Sequence, residues 1–85
     1  MDYNTFIGII KEAANGLRVV RFDYTKKDGT TNTYEVEPYK VEGVYVWARK
    51  TSEPSGTGIR KFFIENVENI RILETVYVPC WDVEI

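Results

Sequence analysis

Two arginines lie in neighbouring stretches that are rich in aromatic and β-branched residues. Arg60 belongs to the stretch Ile59–Ile64, and Arg49 lies near the end of the stretch Val44–Lys50. A guanidinium can hold a phosphate through two parallel hydrogen bonds and can also stack on a nucleic-acid base. If the two stretches pair as a β-hairpin, both arginines lie at one end of an aromatic sheet face. We expect a functional site on that face.

The same residues also have a purely structural interpretation. Arg60 fits equally well as a strand-surface arginine paired with a glutamate, and Arg49 as a solvated charge at a strand edge. Tyr45 and Tyr24 are candidates for a surface on which bases stack, at about 1–3 kcal/mol per base. Aromatic rings in small β-proteins are, however, common core residues. Phe62 is expected in the core or directly beneath such a stacking surface.

Composition restricts the chemistry open to this chain. The 85 residues carry a net charge of −2, without the strongly basic character typical of a nucleic-acid-binding domain. Histidine is absent, which removes the usual general base and the commonest metal ligand. Cys80 is the single cysteine, so no internal disulfide can form. Glu35 and Glu37 share a strand face, where a pair of carboxylates is usually solvated. We therefore predict a non-enzymatic protein with no cofactor and no metal.

Targeting signals are also missing from the sequence. The chain has no apolar run of about 18 residues, the length needed to cross a bilayer, and no signal-peptide pattern. A cytoplasmic protein without membrane contact is expected.

Hydrophobic spacing predicts a mainly β protein with one N-terminal helix, at about residues 3–15. Period-two alternation then predicts five short strands, with Asp28-Gly29 as a type I′ hairpin turn and Pro38 as a bend in the second strand. A strongly bent antiparallel sheet of this kind can close into a small barrel, which removes its exposed edges. The whole chain, residues 1–85, is then one domain, with a barrel at about 17–74 and a docked tail at 75–85. The predicted strands cover about residues 17–25, 31–41, 44–50, 59–64 and 69–73.

Four segments, in order, resemble the motifs of the WYL domain family. Val20–Tyr24 is similar to the family's first strand, and Val36–Pro38 to its short motif ending in proline. Val44–Ala48 aligns with the Trp-Tyr-Leu signature, and Arg60–Val67 with the last motif, which begins with arginine. The resemblance runs from about residue 17 to residue 73.

Three positions depart from the family pattern. The signature tryptophan is Val44, the signature leucine is Val46, and the second arginine of the last motif is Asn66. The last change removes one cation that the resemblance places near the ligand site.

The resemblance implies an SH3-like or Sm-like barrel with Arg60 in a ligand site. WYL domains usually follow a DNA-binding helix-turn-helix in bacterial transcription regulators, and some occur in phage-defence proteins. Only one helix is predicted here, so the chain is expected to be an isolated domain or a small stand-alone protein. The ligands proposed for the family are nucleic acids and nucleotides.

Two functional hypotheses follow. The first is a regulatory module that binds single-stranded nucleic acid or a nucleotide-like anion at five residues. The alternative is a protein–protein interaction module that acts as a homodimer without binding nucleic acid. The balanced charge, the missing second arginine and the apolar tail Val76–Ile85 favour the alternative. An exposed apolar patch at Trp47 and Trp81 would mark an association surface. The five ligand-binding candidates are Arg60, Arg49, Tyr45, Tyr24 and Phe62.

Overall fold

A computed structural model describes residues 2–85, so Met1, which the predicted single domain included, lies outside the described residues. One α-helix, α1, precedes five strands, and a short 3₁₀ turn at Ile64–Asn66 separates the last two. The fifth strand is longer at both ends than predicted, and the turn starts one residue earlier. The bounds are α1 Tyr3–Asn15, β1 Arg18–Thr25, β2 Thr31–Glu42, β3 Tyr45–Lys50, β4 Ile59–Phe63 and β5 Val67–Val76.

The helix α1 begins with a side-chain cap and buries one apolar side. The carboxylate of Asp2 accepts a hydrogen bond from the backbone N–H of Thr5 at 3.1 Å, which satisfies a donor that the first helical turn leaves unpaired. Phe6, Ile10 and Ala13 follow helical spacing and are completely buried. Because α1 contacts β2, β1 and β5, this apolar side covers the part of the sheet that these three neighbouring strands form.

The five strands form one antiparallel sheet in the order β4-β3-β2-β1-β5. One helix and a five-stranded antiparallel sheet confirm the predicted fold class in outline. The predicted closure into a barrel is wrong, because β4 and β5 are the two edges of the described sheet and do not pair. The assignment to SH3-like or Sm-like folds stays a prediction.

The sheet face beneath α1, called the inner face, carries the main hydrophobic core. Residues of all five strands point into this core, and the 3₁₀ turn adds Ile64. Burying each large aliphatic or aromatic side chain stabilises the fold by about 1.5–3 kcal/mol relative to leaving it exposed. The strand residues of the inner core are Val20, Phe22, Val36, Val46, Ala48, Phe62 and Val67.

The opposite face of the sheet, called the outer face, is covered in part by the C-terminal segment, residues 77–85, whose end forms a parallel bridge with β2 and packs Ile85 against the main core. Tyr77 is buried and donates its hydroxyl hydrogen to the carbonyl oxygen of Pro38 at 2.6 Å. The N–H of Glu84 donates to the carbonyl of Tyr39 at 2.7 Å. Since α1 lies on one side and this segment on the other, the middle of β2 is buried on both faces.

An irregularity in β2 changes which residues face outward. Pro38 pairs with Ala48 and Lys40 pairs with Trp47, so Tyr39 is an extra residue between two consecutive pairs. Such a bulge suits proline, which lacks a backbone N–H. As a result, Tyr39 and Lys40 both belong to the outer face, although they are adjacent in sequence.

The β1–β2 turn differs from its predicted type. Gly29 has a φ of 88°, but Asp28 is not among the described residues with positive φ, so the turn is not type I′. The N–H of Gly29 donates to the carbonyl of Lys26, and the N–H of Lys26 to the carbonyl of Thr30. This pattern is a three-residue loop with glycine in the left-handed position.

Candidate ligand-binding groove

The register of the β3–β4 hairpin decides where the predicted site residues point. Arg60 pairs with Ala48, and Phe62 pairs with Val46, so Arg60 and Phe62 lie on the inner face. Directly opposite residues of antiparallel strands point to the same face. Arg49 pairs with Ile59 and therefore lies on the outer face. The two arginines of the hypothesis are thus on opposite sides of the sheet.

The guanidinium of Arg60 is available to a ligand. Its side chain is 52% exposed, and its Nη2 lies 3.6 Å from Oε1 of Glu53. Its Nη1 donates to the carbonyl of its neighbour Ile59 at 3.0 Å. An exposed ion pair of this length contributes about 0–1 kcal/mol, so a phosphate can displace Glu53 at little cost.

A shallow groove of about 210 Å³ lies beside Arg60. No carboxylate is among its described lining residues, while three cationic and three aromatic side chains are. This combination suits an anion that also carries a planar ring. The lining residues are Tyr24, Lys26, Tyr34, Lys50, Arg60 and Phe62.

The rings of Tyr24 and Tyr34 pack around Phe62, the third aromatic residue of the groove. The centroid of the Phe62 ring lies 5.1 Å from that of Tyr24 and 5.5 Å from that of Tyr34. Phe62 is only 4% exposed and forms the floor of the groove. The hydroxyl of Tyr24 accepts a hydrogen bond from the N–H of Phe63 at 2.9 Å. This bond joins β1 to β4, which are not neighbours in the sheet, and it keeps the Tyr24 ring in place.

Two lysines complete the basic side of the groove. Lys50 continues the alternation of Val46 and Ala48 on the inner face, and its Nζ lies 5.1 Å from the centroid of the Tyr34 ring. Lys26 comes from the β1–β2 turn. Lys26, Lys50 and Tyr34 were not among the residues that the sequence predicted for the site. Lys50 lies two residues after Ala48, and Tyr34 lies two residues before Val36. Alternation along each strand could therefore have placed Lys50 and Tyr34 on the inner face.

Arg49 forms a buried ion pair and does not join Arg60. Its Nε donates to Oε1 of Glu37 at 2.9 Å, and its Nη2 donates to Oε2 at 2.7 Å. Arg49 is 7% exposed and Glu37 is 5% exposed. The prediction that the Glu37 carboxylate is solvated is therefore also wrong, because this position lies beneath the C-terminal segment. Tyr39 donates its hydroxyl hydrogen to the same carboxylate at 2.8 Å.

These contacts shift the protonation equilibria of the pair. Burial by itself raises the pKa of Glu37, but the hydrogen bonds from Arg49 and Tyr39 outweigh it and leave the pKa below its ordinary value. The hydrogen bonds to Glu37 raise the pKa of Arg49 further, although burial opposes this. Both groups are ionised at neutral pH, and their charges are neutralised by each other.

Tyr45 also lies away from the groove. It pairs with Phe63 on the outer face, with the two ring centroids 5.3 Å apart. The Nζ of Lys61 lies 4.1 Å from the centroid of the Tyr45 ring. The structure therefore brings together Arg60, Tyr24 and Phe62 from the predicted set, and it separates Arg49 and Tyr45 from them.

Comparison with known protein families agrees with the motifs of the sequence. The family model for the WYL domain matches residues 5–72, and the chain belongs to this family. WYL domains are generally ligand-sensing regulatory domains and are not typically enzymes. No curated protein matches the chain. In the part of the chain that the structure describes, no helix is both long and apolar enough to cross a membrane.

Proposed function

We propose that this WYL domain binds single-stranded nucleic acid or a nucleotide-like anion in the groove beside Arg60, without catalysing a reaction. One observation supports this most directly: three cationic side chains and two tyrosines line one groove, and no carboxylate is among its described lining residues. These residues are Arg60, Lys26, Lys50, Tyr24 and Tyr34.

Each group has a distinct part in binding. The guanidinium of Arg60 supplies a planar fork for two phosphate oxygens, whereas the lysine ammonium groups act as point charges. Tyr34 and Tyr24 offer rings for stacking, at about 1–3 kcal/mol per base. A groove of about 210 Å³ is smaller than most sites for drug-sized ligands. It suits one base and its phosphate, with the rest of a strand lying across the open surface.

Titration with fluorescently labelled single-stranded oligonucleotides, at several salt concentrations, tests this function. Arg60→Ala should weaken binding and reduce the slope of log K against log salt by about one unit. Lys61→Ala is the matched control, because Lys61 is the next residue of β4 and lies on the outer face. Each substitution removes one positive charge. Absence of binding at low salt, or an equal effect of both substitutions, would contradict the proposal.

The open sheet supports a second candidate, an interaction module that forms a homodimer. The edge strands β4 and β5 have no partner on one side within residues 2–85, and such edges can pair with another chain. Val76 and Val78, at and just beyond the end of β5, are 68% and 89% exposed. Light scattering of the chain and of Val78→Asp distinguishes this candidate. A dimer that the substitution dissociates favours it, and a monomer at all concentrations excludes it.

We also propose that this domain takes part in transcription regulation, that it comes from a bacterium or phage, and that it is located in the cytoplasm. This proposal follows from the family's usual association with DNA-binding helix-turn-helix domains.

A further inference from the structure

A second groove, of about 380 Å³, lies on the outer face, away from Arg60. Its lining differs in chemical character from that of the first groove, because it combines aromatic rings with carboxylates. The rings are those of Tyr39, Trp47 and Trp81, and the carboxylates are those of Glu42, Asp82 and Glu84.

The bulge in β2 and the C-terminal segment build this groove. The hydroxyl of Tyr39 accepts a hydrogen bond from the N–H of Cys80 at 3.0 Å, which fixes the start of the turn that carries Trp81. The rings of Tyr39 and Trp81 meet edge to face, with centroids 5.3 Å apart. Glu84 is held by its backbone hydrogen bond to Tyr39. Aromatic and acidic side chains from distant parts of the chain are thereby kept at one place.

The charges around this groove favour a cation. Lys40 lies 3.8 Å from Glu42, so these two charges largely compensate each other. For Asp82 and Glu84, neither an ion pair nor a side-chain hydrogen bond to another described residue is present. Lys61, which is outside the lining, is a competing cation, because its Nζ lies 5.5 Å from the centroid of the Trp47 ring. Asp82 and Glu84, without an ion pair to another described residue, thus line the groove together with the rings of Tyr39, Trp47 and Trp81.

We infer that the outer groove is a binding site for a small organic ammonium ion. An alkylated ammonium carries positive charge on an apolar surface, and it is attracted to the faces of tryptophan and tyrosine rings. An ion of this size fits the groove, whose volume of about 380 Å³ is within the usual range for small-molecule sites. Asp82 and Glu84 supply the opposite charge at the rim. This site shares no lining residue with the Arg60 groove and does not depend on the function proposed there.

Intrinsic fluorescence provides a direct test, because both tryptophans of the chain line this groove. Choline is the probe, and 3,3-dimethylbutan-1-ol is its neutral counterpart with the same shape. At constant ionic strength, choline should produce a saturable change in tryptophan emission at a lower concentration than the neutral alcohol. Equal responses to the two compounds, or a response to choline that does not saturate, would overturn the inference.

Substitutions locate the site. Trp81→Ala should weaken choline binding by about two- to fivefold, with Trp47 as the remaining reporter. Asp82→Asn combined with Glu84→Gln should weaken it by a similar factor, and added salt should do the same. Arg60→Ala, on the other face, is the control and should leave choline affinity unchanged. If the carboxylate substitutions have no effect on affinity while circular dichroism shows an intact fold, the site is not a cation site.

Discussion

Glu37 and Arg49 face each other on β2 and β3 and are joined by two parallel hydrogen bonds, of 2.9 and 2.7 Å, beneath the C-terminal segment. The third nitrogen of Arg49, Nη1, donates to the carbonyls of Glu53 and Pro54 at 2.9 and 3.2 Å. The same Glu53 pairs through its carboxylate with Arg60. The buried pair therefore anchors the β3–β4 loop that lies beside the candidate groove.

Loss of Arg49 should destabilise the protein strongly. Arg49→Ala leaves the Glu37 carboxylate buried without its cation, which typically costs about 3–5 kcal/mol. For a small domain this is a large part of the total free energy of unfolding, about 5–15 kcal/mol. Urea denaturation measures the effect, with Arg60→Ala as the exposed control, which should change stability by less than about 0.5 kcal/mol. The double variant Glu37→Leu/Arg49→Met should cost less than Arg49→Ala, because no unpaired charge remains. Equal stability of Arg49→Ala and Arg60→Ala would contradict the structure.

Acid should weaken the fold through Glu37. Its pKa is lower in the folded protein than in the unfolded chain, so its contribution to stability is present at neutral pH. That contribution is lost as the pH falls below the ordinary glutamate value of about 4.3. Urea midpoints between pH 7 and pH 3 measure this loss. The variant Glu37→Leu/Arg49→Met lacks the group, so its midpoint should fall less steeply with acid than that of the unchanged protein. Parallel pH profiles would show that Glu37 is not linked to folding.

Gly58 should be intolerant of alanine. It has a φ of 82°, and a Cβ there would overlap the Cβ and Cγ of Glu53. Gly29 has a similar φ of 88°, but its Cβ would meet no atom within 4 Å. Both substitutions strain the backbone, so the difference between them isolates the overlap, which we expect to cost about 1–3 kcal/mol. Thermal unfolding of the two variants measures the difference, and equal melting temperatures would refute it.

Tyr34 should matter more for ligand binding than Tyr45. If bases stack in the Arg60 groove, Tyr34→Leu should weaken oligonucleotide binding by about 1–3 kcal/mol. Tyr45→Leu is the matched control, because Tyr45 is also partly buried but lies on the outer face. Titration of both variants under the same salt conditions makes the comparison. A larger loss for Tyr45→Leu would place the ligand on the other side of the sheet.

Local patterns in the sequence were enough for the helix, the five strands and the family. The spacing of Phe6, Ile10 and Ala13 determines one apolar helical side, and alternation determines which strand residues share a face, except at the bulge in β2. Family membership followed from four motifs in order, which the match over residues 5–72 confirms. The opposite orientations of Arg49 and Arg60 did not follow from local patterns, because the long β3–β4 loop leaves open the register that pairs Ala48 with Arg60.

Tertiary structure decided the environment of each side chain. Local periodicity describes one strand at a time, and it does not show which distant segment covers a given face. Glu37 and Arg49 are buried because residues 77–85 fold back over β2. Lys26, Lys50 and Arg60 meet because the β1–β2 turn, the end of β3 and the start of β4 lie together. The sheet stays open because its first and last neighbours, β4 and β5, do not meet. Such relationships depend on contacts between residues far apart in sequence, and these contacts form only when the whole chain packs.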